Sequence, residues 1–116
     1  MPAELRPSQA LRLWHDVVYD IVRDGEQDLT ARQMAVLLTV YLEPPPHTVR
    51  GLAAKLGVTK PVITRALDTM GRLGLLTRRR DPADRRNVLV QRTLDGALTV
   101  ERLGDAIVDR HRALPL

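Results

Sequence analysis

The residues from Thr48 to Arg92, TVRGLAAKLGVTKPVITRALDTMGRLGLLTRRRDPADRRNVLVQR, decide the fold. Their first part reads as two short helices joined by Lys55-Leu56-Gly57-Val58-Thr59. Leu52, Ala53 and Leu56 recur at helical spacing and form one apolar face. Gly57 stands where the first helix stops, because glycine enters the left-handed region without a Cβ clash. Thr59 is expected to cap the next helix through its hydroxyl, and Pro61 fits the first turn, where an amide has no partner. The second helix is expected to bury Ile63, Leu67 and Met70, with Ala66 at the edge of that face and Leu73 at its end. Lys60, Pro61, Thr64, Arg65, Asp68 and Arg72 fall on the opposite face. A helix anchored by an apolar stripe, with donors on its far side, is what a helix–turn–helix needs to reach base edges.

A charged helix face is by itself equally well explained by solvation. The residues after the second helix shift the balance. Gly74 ends that helix, and Leu75-Leu76-Thr77-Arg78-Arg79-Arg80 reads as a short strand. Asp81-Pro82-Ala83-Asp84 is turn chemistry, and Asn87-Val88-Leu89-Val90-Gln91-Arg92 is a returning strand rich in β-branched residues. A hairpin with a basic tip directly after a helix–turn–helix makes a winged helix, and favours a DNA-binding module. The expected fold is mainly α with a small β-hairpin (α+β).

The run LAAKLGVTKPVITRALDTMGRLGLLTRRRDPADRRNVLV resembles the winged helix–turn–helix of the MarR family of bacterial transcription regulators. The resemblance is carried by Gly57 to Arg65, by Leu73-Gly74-Leu75 at the start of the hairpin, and by Asp81 to Arg86 in the wing. It covers roughly the middle half of the chain; the flanking helices match in general layout only.

The chain has 116 residues, one domain's worth, with 44% hydrophobic and 28% charged residues, a globular composition. No apolar run is long enough to span a membrane, and the charged N-terminus lacks a signal-peptide core, so a cytoplasmic protein is expected. The absence of cysteine removes disulfides and thiolate metal sites. Nothing calls for a cofactor or a metal. From Lys60 to Arg92 nine basic residues face three acidic ones, a balance of +6, whereas Met1 to Pro46 has four against seven, −3. Positive charge concentrated on the reading head attracts a phosphate backbone and makes binding salt-dependent.

Three segments are expected: residues 1–28 as an N-terminal helix, 29–93 as the winged helix–turn–helix, and 94–116 as a C-terminal helix. Ser8 is expected to cap the first helix, in which Leu11, Trp14, Val18, Ile21 and Val22 make an apolar stripe. Thr30 and Gln33 form a capping box for the second helix, expected to turn Met34, Leu37, Leu38 and Tyr41 inward before Pro44-Pro45-Pro46 stops it. Thr93 caps the last helix, which carries Leu94, Ala97, Leu98, Leu103, Ile107 and Val108. Gly96 and Gly104 are expected to weaken it by about 1 kcal/mol each relative to alanine. The resemblance implies that the terminal helices dimerise, with Leu11, Trp14, Val18, Leu103 and Ile107 in the contact. It also implies a longer C-terminal region than this chain has.

The mechanism implied is a homodimer on double-stranded DNA, one recognition helix per subunit in successive major grooves, on an imperfect palindrome. Thr59 and the helix start hold a phosphate, while Lys60, Pro61, Thr64 and Arg65 face the bases. Arg65 is the candidate for a bidentate guanine contact, with a phosphate contact as its alternative. Arg85 is assigned to the minor groove, and Arg86 to an ion pair with Asp81 or Asp84. Of Arg78, Arg79 and Arg80, which alternate along a strand, only some can face DNA, and Arg80 is placed in the DNA-binding set. A repressor is the expected sign of regulation, with an activator as its alternative. A small-molecule effector and a regulator without a ligand both remain open. The histidines, His15, His47 and His111, stand apart and no catalytic motif is present, so an enzyme is not expected. The competing reading is a winged helix used as a protein-interaction or accessory module.

Overall fold

The computed structural model describes residues 4–25 and 28–115. Its elements run α1 (Pro7–Asp24), α2 (Ala31–Leu42), β1 (His47–Thr48), α3 (Val49–Leu56), α4 (Lys60–Arg72), β2 (Leu76–Arg80), β3 (Val88–Arg92) and α5 (Leu94–Arg112). Contacts divide the chain into two compact units, Leu29–Val100 and a second made of Met1–Asp28 with Glu101–Leu116.

In the Leu29–Val100 unit α2, α3 and α4 close on one core. Val36, Leu37, Val40, Leu52, Ile63, Leu67, Met70 and Leu75 are fully buried, and Ala53, Ala66, Leu76 and Val90 nearly so. Burying each large aliphatic side chain favours folding by roughly 1.5–3 kcal/mol, so this cluster holds the helix–turn–helix in place. Both turns around α4 use the same device. Gly57 (φ 67°) ends α3 with Val58 N–H donating to the Ala53 carbonyl at 3.0 Å. Gly74 (φ 74°) follows α4 with Leu75 N–H donating to the Met70 carbonyl at 2.9 Å. The left-handed residue turns the chain so that the amide after it closes the last helical turn, which a Cβ would resist.

The sheet has three strands in the order β1-β3-β2, all antiparallel, rather than the expected hairpin alone. β1 is two residues long, too short for any periodicity, and pairs His47 with Val90 and Thr48 with Leu89. It covers the edge that β3 would otherwise expose. His47 is buried, its Nε2 donating to the Glu43 carbonyl at 3.1 Å.

Two helix readings are corrected. The N-cap of α1 is Arg6, not Ser8: Pro7 takes the first helical position and Gln9 accepts from the Arg6 amide at 2.9 Å. In α2 the buried positions are Val36, Leu37 and Val40, whereas Met34, Leu38 and Tyr41 are only half-buried. Apolar residues surround most of α2, so its sequence alone does not select a face. The capping box at its start and the Thr93 cap of α5 form as expected. Gln33 N–H donates to Thr30 Oγ1 at 3.1 Å and Thr30 N–H to Gln33 Oε1 at 2.9 Å. Gly96 N–H donates to Thr93 Oγ1 at 2.9 Å.

Tyr41 ties the unit together. Its hydroxyl lies 2.9 Å from the Leu75 carbonyl and 3.1 Å from that of Thr93, and accepts from Thr93 N–H at 3.0 Å. Arg92 donates to the Val40 and Glu43 carbonyls at 2.9 and 3.2 Å and lies over the Tyr41 ring. A guanidinium there supplies donors to the C-terminal carbonyls of α2 and favours the negative end of its dipole.

Candidate nucleic-acid interface

α4 buries Ile63, Ala66, Leu67 and Met70, which turns Lys60, Pro61, Thr64, Arg65 and Arg72 out to solvent. Lys60 and Thr64, and Pro61 and Arg65, are each four residues apart and share a face over the first turn and a half. Thr59 is the N-cap, but its hydroxyl makes no cap bond, contrary to expectation. The Thr59 carbonyl instead accepts from Val62 and Ile63 N–H at 3.1 and 3.2 Å, leaving the hydroxyl exposed. Asp68 is on the outer face as expected, but it is already engaged. It is half-buried and accepts from Arg78 of β2 at 2.7 Å, a bond between the helix and the first wing strand.

Short side chains shape the wing loop. Asp81 accepts from Ala83 N–H at 2.9 Å and Asp84 from Arg86 N–H at 3.1 Å, turn bonds of the kind aspartate favours. The Arg86 guanidinium returns to both oxygens of Asp84, at 3.2 and 3.3 Å. Those bonds from Arg86, side chain first and backbone second, hold the Asp84 carboxyl below its ordinary value. Arg80 donates to the Arg85 carbonyl at 2.9 Å, which leaves the Arg85 side chain exposed at the loop.

The nine cations from Lys60 to Arg92 thus separate by what each one touches. Arg78 and Arg86 are paired with carboxylates, Arg80 and Arg92 with backbone carbonyls, and Arg72 with the Thr69 hydroxyl. Among the described residues Lys60, Arg65, Arg79 and Arg85 have no ion-pair partner. Arg92 leaves the reading-head set altogether. Its carbonyl partners lie 52 and 49 residues away in sequence, too far for local reasoning to find.

The MarR family model matches residues 27–87, which is more than half of the chain. The chain belongs to the MarR family. Among solved structures it is similar to the transcriptional repressor CouR bound to a 23-mer DNA duplex, with 26% identity and a TM-score of 0.71 over 96% of this chain and 84% of that one. It is also similar to the PcaV regulator of Streptomyces coelicolor in complex with its natural ligand, with 27% identity and a TM-score of 0.65 over 97% and 82%. For MarR itself the values are 25%, 0.69, 97% and 76%. A search of the curated proteins returns no match. This MarR-family protein is a DNA-binding transcription regulator of winged-helix type.

In the MarR-family chain the residues expected at a dimer contact lie on the Met1–Asp28 and Glu101–Leu116 unit. Leu11 and Trp14 on α1 are 69% and 62% exposed, Val18 and Leu103 are half-buried, and Ile107 on α5 is exposed. The buried position of α1 is Val17, which the stripe reading passed over. α1 is bound to the end of α5 by Arg110, whose Nε and Nη2 donate to the two oxygens of Asp20 at 2.8 and 2.6 Å. That two-toothed bond holds the Asp20 carboxyl below its ordinary value and raises Arg110 further. Among the described residues no group of histidine and acidic side chains is placed to hold a metal ion, and no helix is long and apolar enough to cross a membrane.

Proposed function

We propose that the MarR-family regulator is a cytoplasmic homodimeric repressor that binds a pseudo-palindromic site in double-stranded DNA and catalyses no reaction. Each subunit lays α4 in a major groove and its wing in the adjoining minor groove, with half-sites about one helical turn, roughly 10 base pairs, apart. The observation that carries this reading is the sorting of the cations. Lys60, Arg65 and Arg85 stand exposed with no carboxylate partner among the described residues, at the start of α4 and on the wing loop. Around them Arg78, Arg80 and Arg86 are committed to holding the wing in shape.

Within this reading Thr59 and the amino end of α4 hold a phosphate. Lys60, Pro61, Thr64 and Arg65 face the major groove, with Arg65 giving a bidentate guanine contact. That contact is worth roughly 1–3 kcal/mol of discrimination. Arg85 enters the minor groove. Arg80 and Arg86 serve the interface through the loop they brace. Repression follows the likeness to CouR, itself a transcriptional repressor solved on DNA.

The test is selection from a pool of random duplexes at two salt concentrations, then affinities of variants on the selected and random sites. A two-fold symmetric site and a steep salt slope are expected. Arg85→Ala should weaken binding to all duplexes, and Arg65→Ala should in addition narrow the gap between selected and random sites. If that gap is the same in Arg65→Ala as in wild type, Arg65 does not read bases. Weak, unselective binding at both salts would instead favour a protein-interaction module.

A further inference from the structure

Arg50 lies outside the basic stretch from Lys60 to Arg92, yet the fold brings it to the wing. β1 pairs Thr48 with Leu89, and α3 begins at the next residue, so the first turn of α3 stands beside the end of β3 that leaves the wing loop. Arg50 is the second residue of that helix and is exposed. A cation at the amino end of a helix opposes its dipole, so α3 itself gains nothing from an arginine there. Among the described residues Arg50 has no ion-pair partner. Asp84, bound first by Arg86, also feels the Arg50 charge, in keeping with the place of α3 beside the wing.

We infer that Arg50 contacts a DNA phosphate beside the wing, extending the binding surface from α4 and the wing loop onto α3. The inference rests on the wing lying against DNA, as proposed above. An exposed cation adjoining the wing, set against the dipole of its own helix and held in no ion pair among the described residues, is suited to a partner outside the chain. A phosphate fits, since such contacts fix register and orientation without reading sequence.

The experiment is the salt dependence of duplex binding for wild type, Arg50→Ala, Arg50→Lys, Asp84→Asn, and Arg50→Ala combined with Asp84→Asn. Removing one phosphate contact should lower the log–log salt slope by about 0.9 per bound subunit. Between 50 and 200 mM salt Arg50→Ala should therefore lose about 3-fold less affinity per missing contact than wild type. Selected and random duplexes should be affected alike, Arg50→Lys should keep the wild-type slope, and the Arg50 effect should persist with Asp84→Asn. An unchanged slope in Arg50→Ala would overturn the inference. So would an Arg50 effect that vanishes with Asp84→Asn, because Arg50 would then act only by steadying Asp84. A wild type whose slope is flat, or unchanged by Arg85→Ala, would overturn the wing contact itself and this inference with it. Urea midpoints of the variants keep a folding defect distinguishable from each of these results.

Discussion

A methyl group added at Gly96 would run into the Tyr41 hydroxyl and the Leu75 carbonyl, whereas one added at Gly104 would meet nothing within 4 Å. Two glycines of the same helix, alike in sequence terms, therefore differ in kind. At both positions alanine gains about 1 kcal/mol of helix propensity. At Gly96 that gain is outweighed by overpacking of roughly 1–3 kcal/mol and by disturbance of the Tyr41 hydrogen bonds, each worth about 1 kcal/mol. Gly96→Ala should lower the urea midpoint, and Gly104→Ala should leave it unchanged or raise it. Shifts of the same sign in both variants would contradict the close approach at Gly96. The expectation that both glycines simply weaken α5 holds for an isolated helix and fails where tertiary packing requires the missing side chain.

At the scale of elements, charged side chains decide how helices and strands are held. Arg92 binds the last carbonyls of α2, Arg78 joins β2 to α4, and Arg110 joins α5 to α1. The third contact carries a pH dependence. The Asp20 carboxyl is depressed by its bonds with Arg110, so the folded state binds this proton less readily than the unfolded chain. Its contribution is complete above the ordinary carboxylate value of about 3.9 and is lost as pH falls through the lower folded value. Amide exchange along α1 should be faster in Asp20→Asn than in wild type near neutral pH. The difference should close in acid, once Asp20 of the wild type is protonated. A difference of the same size at all pH values would exclude the ionised bond as its source. The element boundaries were largely legible in the sequence, because caps and glycine stops act within a few residues. The buried face of α2 was not, since apolar residues ring most of that helix and only its neighbours choose among them.

At the scale of the whole molecule, several apolar side chains stay exposed on the terminal helices. Leu11, Trp14 and Val22 on α1 are more than 60% exposed, and Ile107 and Val108 on α5 are 40% and 47% exposed. Exposed aromatic and aliphatic residues grouped in this way suit an interface between subunits. Trp14→Asp should shift the protein to monomer in sedimentation experiments while its helical circular dichroism persists. Its affinity for a two-half-site duplex should fall by about 100-fold or more, because the second recognition helix is no longer tethered to the first. A variant that sediments and binds as wild type does would remove Trp14 from the dimer contact.

The helix–turn–helix, its glycine turns, the Thr30 and Thr93 caps and the wing loop were determined by the sequence itself. Each depends on residues within about six positions of one another, where backbone preference and short hydrogen bonds dominate. The same locality made the charge of the reading head visible. Which arginines are available was decided by tertiary structure. Arg78 is spent on Asp68, ten residues away, and Arg92 on Val40, 52 residues away, while Arg50 joins the wing through a two-residue strand with no pattern of its own. A guanidinium has the same charge wherever it stands, but it can serve a ligand only if no carbonyl or carboxylate of the fold already holds its donors. Those acceptors come from distant parts of the chain, so only the folded arrangement decides which cations remain for DNA.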